Sequence, residues 1–188
     1  MKSMASSQPH RIEAEIEVDV PVQLAYNQWT QFESFPSFLE GVKSVEQLDD
    51  KTLHWVVEIA GKTKEWDAEI VDQDPDRYIA WRSMAGDRSD GSVSFEALDD
   101  HRCRLTLLLT YEPETLTEKA GSALGIPKAR VEADLKRFKG FIEAQGRETG
   151  AWRGAISRGQ VGARPERPKG PVHGDKPVQR TRPGHLEH

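Results

Sequence analysis

The chain opens on strict alternation. In IEAEIEVDV, residues 12 to 20, Ile12, Ala14, Ile16, Val18 and Val20 alternate with Glu13, Glu15, Glu17 and Asp19, which predicts a strand with one buried and one wet face. The period then changes. In PVQLAYNQW, Val22, Ala25, Tyr26 and Trp29 recur at helical spacing behind Pro21, a residue the first helical turn tolerates. FPSFL permits only a short helical turn, because Pro36 disfavours helix at Phe35. Period two returns in VKSVEQL, TLHWVVEIA, KEWDAEIVDQ, YIAWRS, SVSFEAL and RCRLTLLLTYE, joined by the turn-rich stretches DDK, GK, DPDR, AGDRSDG and DDHR. Connections of that length predict an antiparallel meander. TLTE, 115 to 118, has capping-box spacing and starts a helix that Gly121, Gly125 and Pro127 interrupt. From Pro127 on, Val131, Leu135, Phe138 and Ile142 step by four, three and four among charged residues, the pattern of a long amphipathic helix.

This order predicts an α+β fold: an antiparallel sheet of about seven strands, two short helices after the first strand, and a long C-terminal helix across the sheet's apolar face. Strand parity names the residues on that face. In the first three strands of the alternating region that carry it, these are Leu53, Trp55, Val57 and Ile59, then Trp66, Ala68 and Ile70, then Ile79, Trp81 and Ser83. Val93, Phe95 and Ala97 follow, with Cys103, Leu105, Leu107, Leu109 and Tyr111 in the last strand. Three of the five tryptophans fall on this side. Indoles are large and their N–H needs a partner when buried, so this face favours a pocket with a few hydrogen-bonding edges.

Composition sets the bounds: 188 residues, 36% hydrophobic and 30% charged, suit one globular domain. No apolar run approaches the roughly 20 residues of a spanning helix. MKSMASSQPHR lacks the apolar stretch of a secretory signal, so the expected location is cytoplasmic. Charge divides the chain, since residues 151 to 188 carry eight Lys or Arg against three acids and leave the body strongly acidic. With five prolines, six glycines and few large apolar side chains, that tail cannot offset its ordering entropy. The expected organisation is a flexible segment 1–9, a domain 10–148, and a disordered basic tail 149–188 whose last residues resemble a tag remnant. The acidic body argues against nucleic acid. The tail is either a solubilising appendage or a weak contact to an anionic membrane.

Catalytic signatures are sparse. Cys103 stands alone, without a CxxC pair or a neighbouring histidine; Arg102 and Arg104 flank it and point to the opposite face. His10, His54 and His101 have no metal-ligand spacing, so neither a metal nor a cofactor is expected. GKTK, 61 to 64, lies between strands and reads as a hairpin turn. Glu58 and Arg82 occupy the outer parity, where a solvated pair is the ordinary outcome.

The segments VPVQLAYNQWTQFESFPSFLEGVKSVEQL, WVVEIAGKTKEWDAEIVDQDPDRYIAW, DGSVSFEAL, RLTLLLTYEP and VEADLKRFKGFI resemble the START/Bet v 1-like (SRPBCC) superfamily, in its polyketide cyclase/dehydrase-like branch. The resemblance covers about residues 10 to 148 and implies a helix-grip fold with a cavity between sheet and long helix. It puts Phe32, Phe35 and Phe38 on an elbow at the cavity mouth, although three clustered phenylalanines are also ordinary core. Ligand contacts are then expected from Trp55, Val57, Trp66, Ile79, Trp81, Phe95, Leu107 and Tyr111 on the sheet, Phe35 and Phe38 on the elbow, and Leu135 and Phe138 on the helix. Tyr111 is the weak catalytic candidate, with Tyr26 behind it. The implied function is binding of a hydrophobic aromatic or polycyclic small molecule, with or without cyclase-like turnover. The alternatives are a lipid or quinone carrier and a protein-interaction module with a collapsed cavity. Oligomeric state is left open.

Overall fold

The computed structural model describes residues 10–59, 61–85, 89–111 and 128–162. Strand β1 (His10–Val18) leads into α1 (Val22–Trp29) and a 3-10 helix (Phe32–Ser37). The meander follows as β2 (Val42–Gln47), β3 (Thr52–Ile59), β4 (Lys62–Asp74), β5 (Tyr78–Ala85), β6 (Ser89–Asp99) and β7 (Arg102–Tyr111). Helix α2 (Lys128–Gln145) and two short strands, β8 (Ile156–Ser157) and β9 (Gln160–Val161), complete it. The strands lie in the order β1-β7-β6-β5-β4-β3-β2, with β8 added to β4 and β9 to β8. Among the described residues there are therefore two strands more than the expected seven.

Local chemistry accounts for the early elements. The Pro21 carbonyl accepts from the Leu24 and Ala25 amides (3.0 and 3.2 Å), so α1 starts immediately after the proline. Pro36 lies inside the 3-10 helix, and the Phe35 carbonyl accepts from both Phe38 and Leu39 (3.1 and 2.8 Å). The segment thus tightens into a turn, as a residue preceding proline demands. The helix expected from the capping-box sequence TLTE lies outside the described residues.

β1 closes the sheet against β7 in the register Ile12↔Leu109, Ile16↔Leu105 and Val18↔Cys103. The acids of β1 therefore face the outer side, where Arg104 bonds both Glu17 (2.8 Å) and Glu96 (3.0 Å). Val131, Leu135, Phe138 and Ile142 are the buried stripe of α2, as the periodicity predicts. The sheet is not regular throughout. Between Ile70 and Asp72 the β4–β5 register shifts, and a bulge reverses side-chain parity; Gln73, not Asp72, is then buried at 2% exposure. Ala97, expected inside, is exposed, because it lies near the end of β6 where the pairing with β7 also shifts.

Residues 149–162, assigned to a disordered tail by composition, instead pack back onto the domain. Ile156 is 3% exposed and pairs with Gln73. Arg153 reaches both carboxylate oxygens of Asp76 (2.9 and 2.7 Å) and also bonds Asn27 Oδ1 (2.7 Å). Thr149 exchanges two bonds with the Gln28 side chain (2.9 and 3.2 Å), and the Trp152 amide donates to Thr30 Oγ1 (3.0 Å). Asn27, Gln28 and Thr30 are buried polar residues of α1 and its end, and such groups must be paired. The segment is the strap that pairs them. Residues 163–188, with most of the basic charge, lie outside the described residues.

Candidate functional site

The interior is organised by edge-to-face aromatic contacts. Trp29 meets Phe35 (5.4 Å), Phe138 (5.1 Å) and Phe95 (6.3 Å), and Phe95 meets Tyr26 (5.3 Å). Phe38 packs on Phe138 (5.1 Å). This cluster fills one half of the space between sheet and α2.

The other half holds a cavity of about 160 Å³. Its sheet wall is Leu53, Trp55 and Val57 from β3, Trp66 and Ile70 from β4, and Trp81 from β5, with Leu107 and Leu109 of β7 beyond. Trp29, Phe32, Phe35 and Leu39 close it from the elbow, and Val131 and Leu135 from α2. Of the expected contacts, Trp55, Val57, Trp66, Trp81, Leu107, Phe35 and Leu135 reach the cavity. Ile79, Phe95, Phe38 and Phe138 do not: they are buried in the packed half. The reason is longitudinal position, since parity fixes the face of a strand and not how far along the helix a residue lies. Tyr111 ends β7 opposite His10 and Ser89; its side chain lies outside the described residues.

Shape comes from three indoles. Trp55 and Trp66 are cross-strand partners whose rings lie 6.1 Å apart and 4° from parallel. Phe35 leans on Trp55 at 5.7 Å. Trp81 lies over Gly91 of β6, its register partner. A methyl group on Gly91 would sit 2.7 Å from Trp81 Cε2 and 2.9 Å from the Leu108 carbonyl oxygen, so the residue that lets Trp81 lie flat must lack a side chain.

The charged residues of the lining serve as a latch. Asp134 accepts from the Glu40 amide (3.1 Å), Arg130 donates to the Glu40 carbonyl (2.9 Å), and Arg137 Nε donates to the Phe38 carbonyl (3.1 Å) while pairing with Asp134. Gly41 (φ 84°) turns beneath Arg130, and a Cβ there would come within 2.8 Å of the Glu58 carbonyl oxygen. The latch fastens the elbow to the first turns of α2. Sequence reasoning missed Trp29, the latch residues and Gly91; the i, i+4 and i, i+7 placement of Arg130, Asp134 and Arg137 on one face of α2 was the available signal.

The remaining candidates are engaged elsewhere. The Tyr26 hydroxyl accepts from Gln73 (2.9 Å), is away from the cavity, and is pushed up to about 12, chiefly by burial. It is not placed to move protons in the cavity. Cys103 is fully buried, and burial raises its thiol to about 11, which keeps it unreactive. Ser83 accepts from the Ser89 amide (2.9 Å) and bonds Asp90. Glu58 pairs with Lys43 (3.1 Å) and Arg82 with Glu69 (3.0 Å) on the outer face. Among the described residues no group of three His, Cys, Asp or Glu is disposed to hold a metal, and no helix is long and apolar enough to cross a membrane.

A curved antiparallel sheet closed over a long helix, with an apolar space between them, defines a helix-grip protein of the START/Bet v 1-like type. The chain belongs to the family described as polyketide cyclase/dehydrase and lipid transport, whose pattern matches residues 18–139. It is 48% identical over 147 residues to an uncharacterized 17.2 kDa protein of Streptomyces lincolnensis, covering 78% of this chain and 98% of that one. Among solved structures it is similar to the Zhui aromatase/cyclase of a Streptomyces species, with a TM-score of 0.64 and 19% identity over 77% of this chain and all of that one. A START superfamily protein from Mycobacterium smegmatis aligns with a TM-score of 0.59 and 20% identity, over 72% of this chain and 99% of that one. At these identities the two structures speak for the fold.

Proposed function

We propose that the protein binds a flat, hydrophobic aromatic small molecule in the cavity between β3–β5, the elbow and α2. The observation that carries this reading is the cavity wall itself: Trp55, Trp66 and Trp81 beside Trp29, Phe32 and Phe35, in a lining that is otherwise mostly aliphatic and whose polar members are Glu40, Ser89, Arg130 and Asp134. Aromatic faces reward a flat ligand beyond the area it buries. Size narrows the class, because a volume of about 160 Å³ is close to the engineered cavity of about 150 Å³ that takes up benzene. One ring with short substituents fits; a polycyclic ligand requires the elbow to move. The charged lining groups are occupied in the latch, which supports binding over proton transfer as the role of the described cavity. The likeness to an aromatase/cyclase keeps a cyclase-like role as the second reading.

Intrinsic tryptophan fluorescence and calorimetry against a panel of monocyclic and polycyclic aromatics, lipids and quinones test the proposal. Monocyclic aromatics are expected to quench or shift the emission, and Trp81→Ala should weaken the best of them by about tenfold or more. A panel that neither moves the fluorescence nor releases heat overturns the reading.

A further inference from the structure

We propose that Arg130, on the rim of the cavity, is the recognition point for a carboxylate, so that the ligand is an aromatic acid with its ring among the indoles and its charge at the mouth; this rests on the cavity being a ligand site. Arg130 lines the cavity from the first turn of α2 and is half-buried. Its guanidinium lies over Gly41, whose neighbours Glu40 and Val42 also line the cavity, and a Cβ at residue 41 would overlap Nη2. The head group is therefore seated at the cavity edge, between α2 and the elbow, where residue 41 has no side chain to displace it. Of the five guanidinium N–H groups, one donates to the Glu40 carbonyl (2.9 Å). Among the described residues Arg130 makes no other hydrogen bond and pairs with no carboxylate.

The neighbouring acids do not answer this charge. Asp134 pairs with Arg137 and accepts from the Glu40 amide (3.1 Å), and the Glu40 carboxylate also reaches Arg137 (3.4 Å). Glu132, on the same turn of α2, pairs with Lys128 (3.8 Å). Both carboxylates of the lining thus lean on one arginine, and Arg130 keeps an uncompensated charge beside an apolar space. A guanidinium with N–H groups to spare suits a carboxylate, which it can hold by two parallel bonds. A neutral ligand leaves the charge unanswered, and an ammonium is repelled by it. At the mouth the pair stays partly solvated, which limits the desolvation cost of bringing the two charges together. The space restricts the acid's size, since about 160 Å³ admits one ring, joined to its carboxylate by a short chain.

Benzoate, phenylacetate and hydrocinnamate differ in chain length, and each has an amide of nearly the same shape without the charge. Calorimetry of these acids and amides, with toluene beside them, is read on the full chain. The best-fitting acid is expected to bind about tenfold more tightly than its amide, with an affinity that falls as salt rises while the amide's stays level. Arg130→Met should cost that acid about tenfold more than it costs the amide and remove the salt dependence. In 15N-labelled protein the Arg130 guanidinium signals should move with the acid and hold their positions with the amide. Amides that match or exceed every acid, equal losses on Arg130→Met, or Arg130 signals indifferent to the acid overturn the anchor and leave the cavity reading intact. Binding of toluene alone does the same, whereas binding of none of the compounds overturns both. The acid–amide comparison and the Arg130 signals are read on the unsubstituted protein, so the test stands even if Arg130→Met folds poorly.

Discussion

The two halves of the interior use the same kinds of side chain and end in opposite states. Around Tyr26, Phe95, Phe138 and Ile142 the space is filled: all four are at most 6% exposed. Around Trp55, Trp66 and Trp81 a cavity is left. The difference lies in what closes each end. The filled half is closed by the C-terminal strap, which satisfies Asn27, Gln28 and Thr30 and inserts Ile156 beside Gln73. The open half is closed by the backbone-directed latch of Arg130, Asp134 and Arg137 on the elbow, which ties edges together and puts nothing inside. Rigid flat walls, Trp81 on Gly91 and Trp55 on Trp66, then hold the space open.

The largest expected effect tests whether the halves differ in packing. Phe138→Ala, in the filled half, should cost about 3–5 kcal/mol in urea unfolding. Leu135→Ala, one turn earlier on the same face of α2 but on the cavity wall, should stay near about 2 kcal/mol, the low end for a buried leucine, because the wall beside it can relax into space that already exists. Equal losses would erase the distinction.

Truncation after Gly150 comes next. It removes Trp152, the Arg153–Asp76 pair and Ile156, and should lower stability by about 3 kcal/mol. Truncation after Gly162 removes only the segment that composition marks as unable to bury apolar surface, and the unfolding midpoint should be unchanged. If the shorter protein matches the full chain, the strap does not close the filled half.

Gly91→Ala sharpens the account of the open half. The added methyl meets Trp81 and the Leu108 carbonyl, so about 1–3 kcal/mol of overpacking is expected, together with weaker ligand uptake as Trp81 is driven into the cavity. A variant of unchanged midpoint and unchanged affinity would show that Trp81 is not held by the glycine.

The smallest effect belongs to the outer face, which neither half touches. His54 lies 2.7 Å from Asp67 and 3.6 Å from Glu65, and the bond to Asp67 raises its pKa above the ordinary 6.5. A raised folded pKa contributes stability that is fully present below the unfolded pKa and is lost as pH rises through the folded one. His54→Gln should therefore lower the melting temperature slightly at pH 5.5 and leave it unchanged at pH 8.5. The effect is small because the site is solvated; a difference that grows with pH would refute the assignment.

What was legible in the chain followed from local periodicity. The alternation of residues 12 to 20 places the acids of β1 outside, and the spacing of Val131, Leu135, Phe138 and Ile142 identifies the buried stripe of α2, because both periods are properties of the backbone itself. Parity also put Trp55, Trp66 and Trp81 on the concave face. It failed at Gln73, where a bulge in β4 reverses the faces; Phe95 and Ile79 lie on the inward face as parity has them, but their place outside the cavity is a matter of longitudinal position that parity does not address. Composition misjudged residues 149–162, since their ordering depends less on their own apolar content than on the unpaired polar groups awaiting them on α1.

The sequence by itself determined which residues are inward, which helix covers them and where the meander turns, all consequences of interactions within a few residues. Only the tertiary structure decided that the inward residues fall into a filled half and an open half. That outcome depends on contacts between distant parts of the chain: Arg130 against Gly41, Trp81 across Gly91, Thr149 on Gln28. Space inside a protein is what remains after such side chains meet, and no local pattern records which of them do.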